Sequence, residues 1–348
     1  MSATPLGNAG VAGASITQGA TEQREPGIVW VLEDARHGGA EPTLAIAERL
    51  GVEFRRVPLW WNLRGGLARL SRRGSLAGLL SPLPLAAGQP ALTLSAGRRS
   101  AAVAAWLKHA CGSRMVQYGP AGAQRGSADL HLREGHADRA SATAPLLGAP
   151  HRLTAMTLQA AHATWHERLD HLPHPRLALL VGSGPFGAEM QPSEAFRLAN
   201  GLAGALHAVE GAILAVTDRR TGREATDALA AGLAGCMHLL YRQGEPGPDP
   251  ELGFLSVADA VVVAGNTPER LLRACALTLP VYVSPAGPLS WAQRRLHQRL
   301  LDEGHIRMLD GKIEAWKRSP LDEAGRAAGM VLEMLATAAS LAPTGPTR

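Results

Sequence analysis

The segment Ala258-Asp-Ala-Val-Val-Val-Ala-Gly-Asn-Thr-Pro-Glu-Arg-Leu-Leu-Arg-Ala-Cys-Ala-Leu-Thr-Leu-Pro280-Val-Tyr-Val constrains the fold more than any other stretch of the chain. Ala260 to Val263 is a short apolar run suited to a strand buried on both faces, the signature of a parallel sheet covered by helices. Gly265-Asn266-Thr267 then forms a polar turn in which Asn266 or Thr267 can cap a helix that carries Pro268 in its first turn. The free N–H groups of such a helix start point at whatever lies beyond the sheet. The next strand, Pro280-Val-Tyr-Val283, completes a β–turn–α–β unit.

The same alternation runs through the chain in two sets. In the first, Ile28 to Leu32 reads as a strand, Pro42 to Leu50 as a helix, Gly51 to Val57 as a strand, and Ser71 to Leu80 as a short helix closed by Pro82 and Pro84. Ala91 to Ser95, the Ser100 to Ala110 helix, Met115 to Tyr118 and Ala128 to Leu132 finish that sheet. His151 to Leu172 is a His-rich helix between Pro150 and Pro173. The second set begins with Leu177 to Val181 and ends with a short strand at Ile306 to Leu309 and a closing helix from Leu321 to Ala339 that can pack back on the first half. The fold class expected is α/β, two Rossmann-like domains facing a cleft. The boundaries expected are a tail over 1–26, a first domain over 27–150, a connector helix over 151–174, a nucleotide-site domain over 175–320, and a closing helix and tail over 321–348.

With 348 residues, two domains are the natural count. Aromatics are only 4% against 46% hydrophobic residues, so the core must be built from Ala, Leu and Val, with Trp60, Trp61, Trp106, Trp165, Trp291 and Trp316 as large fillers. The net charge of +5 is mild, and neither Arg69-Leu-Ser-Arg-Arg73 nor Arg294-Arg295 has the interleaved aromatics of a nucleic-acid surface, so no nucleic-acid partner is expected. Cys111, Cys236 and Cys275 lack CxxC spacing, which argues for free thiols in a reducing cytoplasm. No apolar run is long enough to cross a bilayer, which leaves peripheral membrane contact as the membrane role open to the chain. Residues 1 to 25 lack the pattern of a signal peptide.

Ligands in parallel sheets bind beyond the carboxyl ends of the strands, so the turns there are the candidate sites. Gly182-Ser183-Gly184 lets backbone N–H groups approach a phosphate. Arg219-Arg220-Thr221 follows Val216 with two guanidiniums and a hydroxyl suited to a pyrophosphate, and arginines before a helix start invite an anion. Asn266 and Thr267 open the next helix, and capping alone accounts for them equally well. Arg98-Arg99 stands at the corresponding turn of the first half, on the acceptor side. Glu134, His136 and Asp138 form a polar cluster after the Leu132 strand, with His136 and Asp138 the candidate bases toward an acceptor hydroxyl. His162 and His166 are spaced i, i+4, yet without an HExxH motif no metal is expected, and no cofactor either.

Taken together, Trp30-Val-Leu32 with Asp34, Leu94-Ser-Ala-Gly-Arg-Arg99, Ala128-Asp-Leu130 with His136 and Asp138, Ala149-Pro-His151-Arg-Leu-Thr154, Leu180-Val-Gly182, Thr217-Asp-Arg-Arg-Thr221, Ala258-Asp259 through Thr267, and Pro280-Val-Tyr-Val283 resemble the ELM-type (elongated-mitochondria) mitochondrial fission family. Bacterial members of that family are often labelled nucleoside-diphosphate-sugar epimerase. The order holds from about residue 28 to 310. The resemblance implies a GT-B-like fold, similar to lipid-A-disaccharide synthase and to the peptidoglycan glycosyltransferase that uses UDP-N-acetylglucosamine. The resemblance does not supply the substrate; a pyrophosphate-binding cleft kept in such a fold makes a nucleotide-diphosphate sugar the expected ligand and sugar transfer to a hydroxyl the expected activity.

The chain departs from the pattern at several positions. Gly38-Gly39 stands for a glycine and histidine, Pro42 for a glutamine, Gly265-Asn266-Thr267 for an acidic-Asp-Ser turn, and Arg273 for a glutamate. An arginine cannot accept hydrogen bonds from ribose hydroxyls, and losing such a contact costs about 1.5 to 3 kcal/mol. A non-catalytic interaction protein with a degenerate donor site is therefore the alternative. A dinucleotide-dependent epimerase is disfavoured, because no GxGxxG follows the first strand and no Tyr-x-x-x-Lys pair exists.

Overall fold

The computed structural model describes residues 28–34, 40–135 and 143–340. Among them the chain forms two six-stranded, wholly parallel sheets. The first has the order β2-β1-β3-β4-β5-β6, from β1 (Val29–Asp34), β2 (Phe54–Leu59), β3 (Leu92–Ala96), β4 (Arg114–Tyr118), β5 (Leu130–Glu134) and β6 (Thr143–Leu146). The second has the order β12-β11-β10-β7-β8-β9, from β7 (Arg176–Val181), β8 (Ala212–Val216), β9 (Met237–Tyr241), β10 (Ala260–Ala264), β11 (Val281–Ser284) and β12 (Arg307–Met308). The order reverses between β1 and β3 in one sheet and between β7 and β10 in the other. A crevice opens at such a switch point beyond the carboxyl ends of the strands.

The central strands of both sheets are buried on both faces, as their near-continuous apolar sequences require, while the edge strands β2, β9 and β12 are partly exposed. In β7, Leu177, Leu179 and Val181 pack toward α4 (Pro192–His207) and α5 (Arg223–Leu233), while Ala178 and Leu180 pack toward α6 (Glu251–Val257) and α7 (Pro268–Cys275). In β1, Val29 and Val31 face α1 (Glu41–Leu50), and Trp30 and Leu32 face α2 (Arg98–Cys111). Trp60 and Trp291 are corrections to the expected core, being 60% and 67% exposed.

The chain crosses between the lobes twice. The first crossing leads into α3 (Ala155–Leu169), whose start is fixed by a capping box in which Thr154 and Thr157 bond each other's backbone N–H. The second follows α8 (Trp291–Asp302) and leads into α9 (Glu323–Ser340), which returns to the first lobe and buries Ala327, Ala328 and Val331 against the α1 side of its sheet. Glu323, itself buried, accepts from the Leu147 N–H of the outgoing strand and from Arg326, so one carboxylate ties both crossings together. Arg318 donates to the carbonyls of Ala274, Cys275 and Leu279, closing the C-terminus of α7 with a cation where the helix dipole favours one.

One expected helix is absent. Residues 71–80 form turns instead of a helix, because Gly74 and Gly78 adopt φ of 81° and 79°, and a Cβ at Gly74 would lie 2.3 Å from the Ala102 carbonyl of α2. Two left-handed residues four apart cannot sit in an α-helix. Conversely, β6 and α6 are elements that the sequence pattern did not suggest.

Candidate functional site

The turns after β7, β8 and β10 meet at the switch point of the second sheet, since these three strands are neighbours. The β7 and β10 turns are bonded directly to each other. Gly182 N–H donates to the Ala264 carbonyl, Asn266 N–H donates to the Ser183 carbonyl at 2.9 Å, and the Asn266 side chain donates to the Gly184 carbonyl at 2.9 Å. Ser183 is buried and its hydroxyl donates to the Asn266 carbonyl. A Cβ at Gly182 would come within 2.0 Å of Thr267 Cγ2, so glycine is needed here for the approach of Thr267.

In this geometry two of the three N–H groups expected to cradle a phosphate at Gly182-Ser183-Gly184 are already engaged. The N–H groups of Gly182 and Gly184 are satisfied by Ala264 and Ala188, and both glycines serve close loop packing. The geometry also corrects the capping role of Asn266 and Thr267. Thr267 occupies the N-cap position of α7 without a side-chain bond, and Asn266 Oδ1 and Thr267 Oγ1 are buried polar atoms lacking a partner among the described residues. Pro268 stands at the first helical position, as expected.

The β8 turn is rigid for a different reason. The Asp218 carboxylate accepts from the N–H groups of Arg220 at 2.6 Å and Thr221 at 3.0 Å, which is an Asx turn. Thr221 is fully buried, and its hydroxyl donates to the Val181 carbonyl and accepts from Asp218 N–H, so it anchors the turn to β7 and does not face a ligand. Arg219 and Arg220 are exposed and have no side-chain partner among the described residues. Asp218, and Glu224 in the first turn of α5, supply the negative charge that the helix start favours. The macrodipole therefore requires no further anion. Glu189 Oε2 lies 2.4 Å from the ideal Cβ position of Gly222, which puts a carboxylate at the rim of the same turn.

Beneath these loops sits a residue that the sequence patterns did not single out. Arg270 is buried and donates to the Val181 carbonyl at 2.9 Å and the Thr217 carbonyl at 3.2 Å, joining the carboxyl ends of β7 and β8. Its Nε lies 2.9 Å from Glu251 Oε2, and Glu251 Oε1 lies 3.1 Å from Arg273 Nη1. A buried carboxylate between two guanidiniums is thus the support of the site. The signal available in sequence was the i, i+3 arginine pair on α7. Its carboxylate partner stands after Pro250, in what reads as the end of a Gly/Pro loop.

In the first lobe the two candidate arginines part company. Arg99 pairs with the buried Asp34 at 3.2 Å and lies 5.6 Å over the Trp61 ring, so it is part of the lobe's interior. Arg98 remains exposed at the start of α2. Glu134 accepts from the Tyr118 hydroxyl, whose pKa is pushed well above the ordinary tyrosine range by burial and then by the Glu134 charge. Arg299 of α8 donates across to the Gly135 carbonyl at 3.3 Å, a polar contact from the second lobe to the end of β5. His136 and Asp138 lie outside the described residues, as do Gly38 and Gly39. His162 and His166 stack their rings 5.7 Å apart on exposed α3.

Comparison with known proteins now decides the family. The model of the family described as mitochondrial fission ELM1 matches residues 38–335. The chain belongs to the mitochondrial fission ELM1 family. The mitochondrial fission protein ELM1 of Arabidopsis thaliana is 25% identical over 196 residues, a match that spans 54% of this chain and 44% of that protein. Among solved structures, the UDP-GlcNAc 2-epimerase of Methanocaldococcus jannaschii is 10% identical with a TM-score of 0.51, covering 89% of this chain and 99% of its own. MurG of Acinetobacter baumannii is 15% identical with a TM-score of 0.43, covering 92% and 96%. This ELM1-family chain therefore has the two-lobed α/β architecture of GT-B-like proteins, as its sequence led us to expect. Among its described residues no helix is long and apolar enough to cross a membrane.

Proposed function

We propose that this ELM1-family protein binds the diphosphate of a nucleotide sugar at the β8 turn and transfers the sugar to a hydroxyl acceptor presented by the first lobe. The observation that carries the proposal is the Arg219-Arg220 pair. Two guanidiniums without side-chain partners among the described residues stand on a turn that Asp218 and Thr221 hold rigid, beside the switch point of a parallel sheet. Rigid positioning lowers the ordering cost of binding. In the transfer, the acceptor oxygen attacks the anomeric carbon and the bond from that carbon to the diphosphate oxygen breaks. The acceptor proton passes to a carboxylate or imidazole after β5, for which His136, Asp138 and Glu134 are the candidates. Charge growing on the leaving diphosphate is met by Arg219 and Arg220, so catalysis rests on positioning and charge stabilisation.

A second reading, a non-catalytic interaction protein, is favoured by one specific observation. Arg273 stands where the family pattern has a glutamate, and it is paired with Glu251. That pairing provides no acceptor for ribose hydroxyls.

Thermal denaturation with millimolar UDP or UDP-N-acetylglucosamine separates the two. A ligand present at 100 times its Kd stabilises the fold by about 2.7 kcal/mol, which is readily seen as a shift in Tm. We expect stabilisation of the wild type that is absent in Arg219→Ala/Arg220→Ala. Equal melting of both proteins with and without nucleotide would leave the interaction reading.

A further inference from the structure

From Phe54 to Ala128 the sequence has no Asp or Glu and contains 11 Arg and Lys. The rest of the chain carries 24 Lys and Arg against 30 Asp and Glu, so the net positive charge comes wholly from this stretch. One exposed part of it is the segment that follows the carboxyl end of β2, the edge strand of the first sheet. There Trp61, Gly65 and Ala68 point inward and are buried, while Trp60, Leu63, Leu67 and Leu70 point outward at 60%, 99%, 57% and 69% exposure. Both sets follow helical spacing, and two short 3-10 turns, Leu63–Gly66 and Ala68–Leu70, carry them.

A solvent-facing stripe should be polar, and here it is tryptophan and leucine. Leu80, 63% exposed, extends the stripe, since its N–H donates to the Trp60 carbonyl. The cations lie around it. Arg72 and Arg73 are exposed without side-chain partners among the described residues, and Arg55 lines a hollow with Trp60, Leu80 and Pro82.

We propose that this face docks on an anionic lipid surface, with the leucines and Trp60 in the interfacial layer and the arginines on lipid phosphates. The occupant follows from the charge. Arg56, Arg99, Lys108 and Arg114 are paired with carboxylates, but Arg55, Arg72 and Arg73 stand beside the stripe and complement an extended anionic surface, and an apolar stripe flanked by arginine with tryptophan at its end matches the boundary between headgroups and acyl chains. A second copy of the chain would bring the same cations against themselves. The proposal is independent of the nucleotide site in the other lobe.

Co-sedimentation of the full chain with vesicles tests it. The protein should pellet with phosphatidylcholine vesicles holding roughly 30 mol% phosphatidylglycerol, at least about tenfold more than with phosphatidylcholine alone, and the difference should collapse at about 0.5 M salt. Leu63→Ser/Leu67→Ser/Leu70→Ser and, separately, Arg72→Glu/Arg73→Glu should each cut pelleting by about tenfold or more. All five side chains replaced are exposed or charged, so the fold survives, which far-UV circular dichroism checks. Arg219→Ala/Arg220→Ala should pellet as the wild type does. Failure to pellet with the anionic vesicles, or equal pelleting of the leucine variant, overturns the proposal. So does a dimer in solution that the leucine substitutions break while no vesicle binding is seen, because the face is then covered by a second copy.

Discussion

Each lobe places an Arg-Arg pair at the carboxyl end of its sheet, and the two pairs have opposite fates. Arg99 of the first lobe turns inward to Asp34 and the Trp61 ring, whereas Arg219 and Arg220 of the second lobe stay exposed and have no side-chain partner among the described residues. The difference lies in where the nearest carboxylate sits. Asp34 is a buried side chain that faces the arginine, while Asp218 is turned back onto its own backbone and leaves the guanidiniums alone. An arginine at a strand end is thus a ligand contact only where the local acid is otherwise engaged. On the function proposed above, the second lobe meets that condition and the first does not.

The strongest way to break this comparison is to remove the support under the second lobe. Arg270→Ala takes from the buried Glu251 the more buried of its two guanidiniums and leaves two strand-end carbonyls without their donor, and should destabilise the protein by about 2 to 4 kcal/mol in a denaturant titration. A loss below about 1 kcal/mol would show that Arg270 is not the joint between β7 and β8. Next in size is Gly182→Ala, whose added methyl meets Thr267 and should cost about 1 to 3 kcal/mol. Thr267→Ser in the same chain should recover part of the loss, because it removes the methyl in the way, and a double-mutant cycle with no coupling would contradict the contact. By contrast, Arg219→Ala/Arg220→Ala should change stability by no more than about 0.5 kcal/mol without ligand, as exposed unpaired side chains do.

Glu189 sharpens the same point. Its carboxylate sits over Gly222 at the edge of the arginine turn, where it would repel a diphosphate bound as proposed above. Glu189→Gln should tighten nucleotide binding severalfold, by titration calorimetry, and an unchanged or weaker affinity would place the diphosphate elsewhere.

Acid should act on both lobes and between them. Burial lowers the pKa values of His131, His151, His297 and His305 below the ordinary 6.5. Between those lowered values and 6.5 the unfolded chain binds more protons than the folded one, so stability rises with pH there. The contribution is complete above about pH 6.5 and is lost as pH falls through the folded values. Denaturation midpoints measured from pH 8 down to about 5 should be flat and then fall. A midpoint that holds level across the whole range would mean these imidazoles are freely protonated in the fold.

Much of the architecture was legible because burial on both faces leaves an unambiguous mark. Runs such as Ala212-Ile-Leu-Ala-Val216 and Leu177 to Val181 can only be interior strands, and the structure places them at β8 and β7 within a residue. The closing helix was visible from its apolar face, which packs on α1. Legibility failed where glycine conformation decided the outcome, as at Gly74 and Gly78, whose left-handed backbone no periodicity reveals. It failed again at the site, because the jobs of Gly182, Thr221 and Asn266 are set by neighbours distant in sequence. Each looks like a ligand contact in isolation and makes a loop–loop contact in three dimensions. Of the buried pair beneath them, Arg270 shows only as one of two arginines spaced i, i+3 on α7, and Glu251, at the end of a Gly/Pro loop, carries no local signature.

The most direct measurement of the central claim is calorimetric titration of UDP into the wild type, Arg219→Ala/Arg220→Ala and Arg98→Ala/Arg99→Ala. The account predicts binding to the wild type, binding weakened by roughly tenfold or more in the second-lobe variant as charge-assisted bonds are lost, and nucleotide affinity retained in the first-lobe variant. Equal affinity in the wild type and the Arg219→Ala/Arg220→Ala protein, or no binding to any of the three, would contradict it.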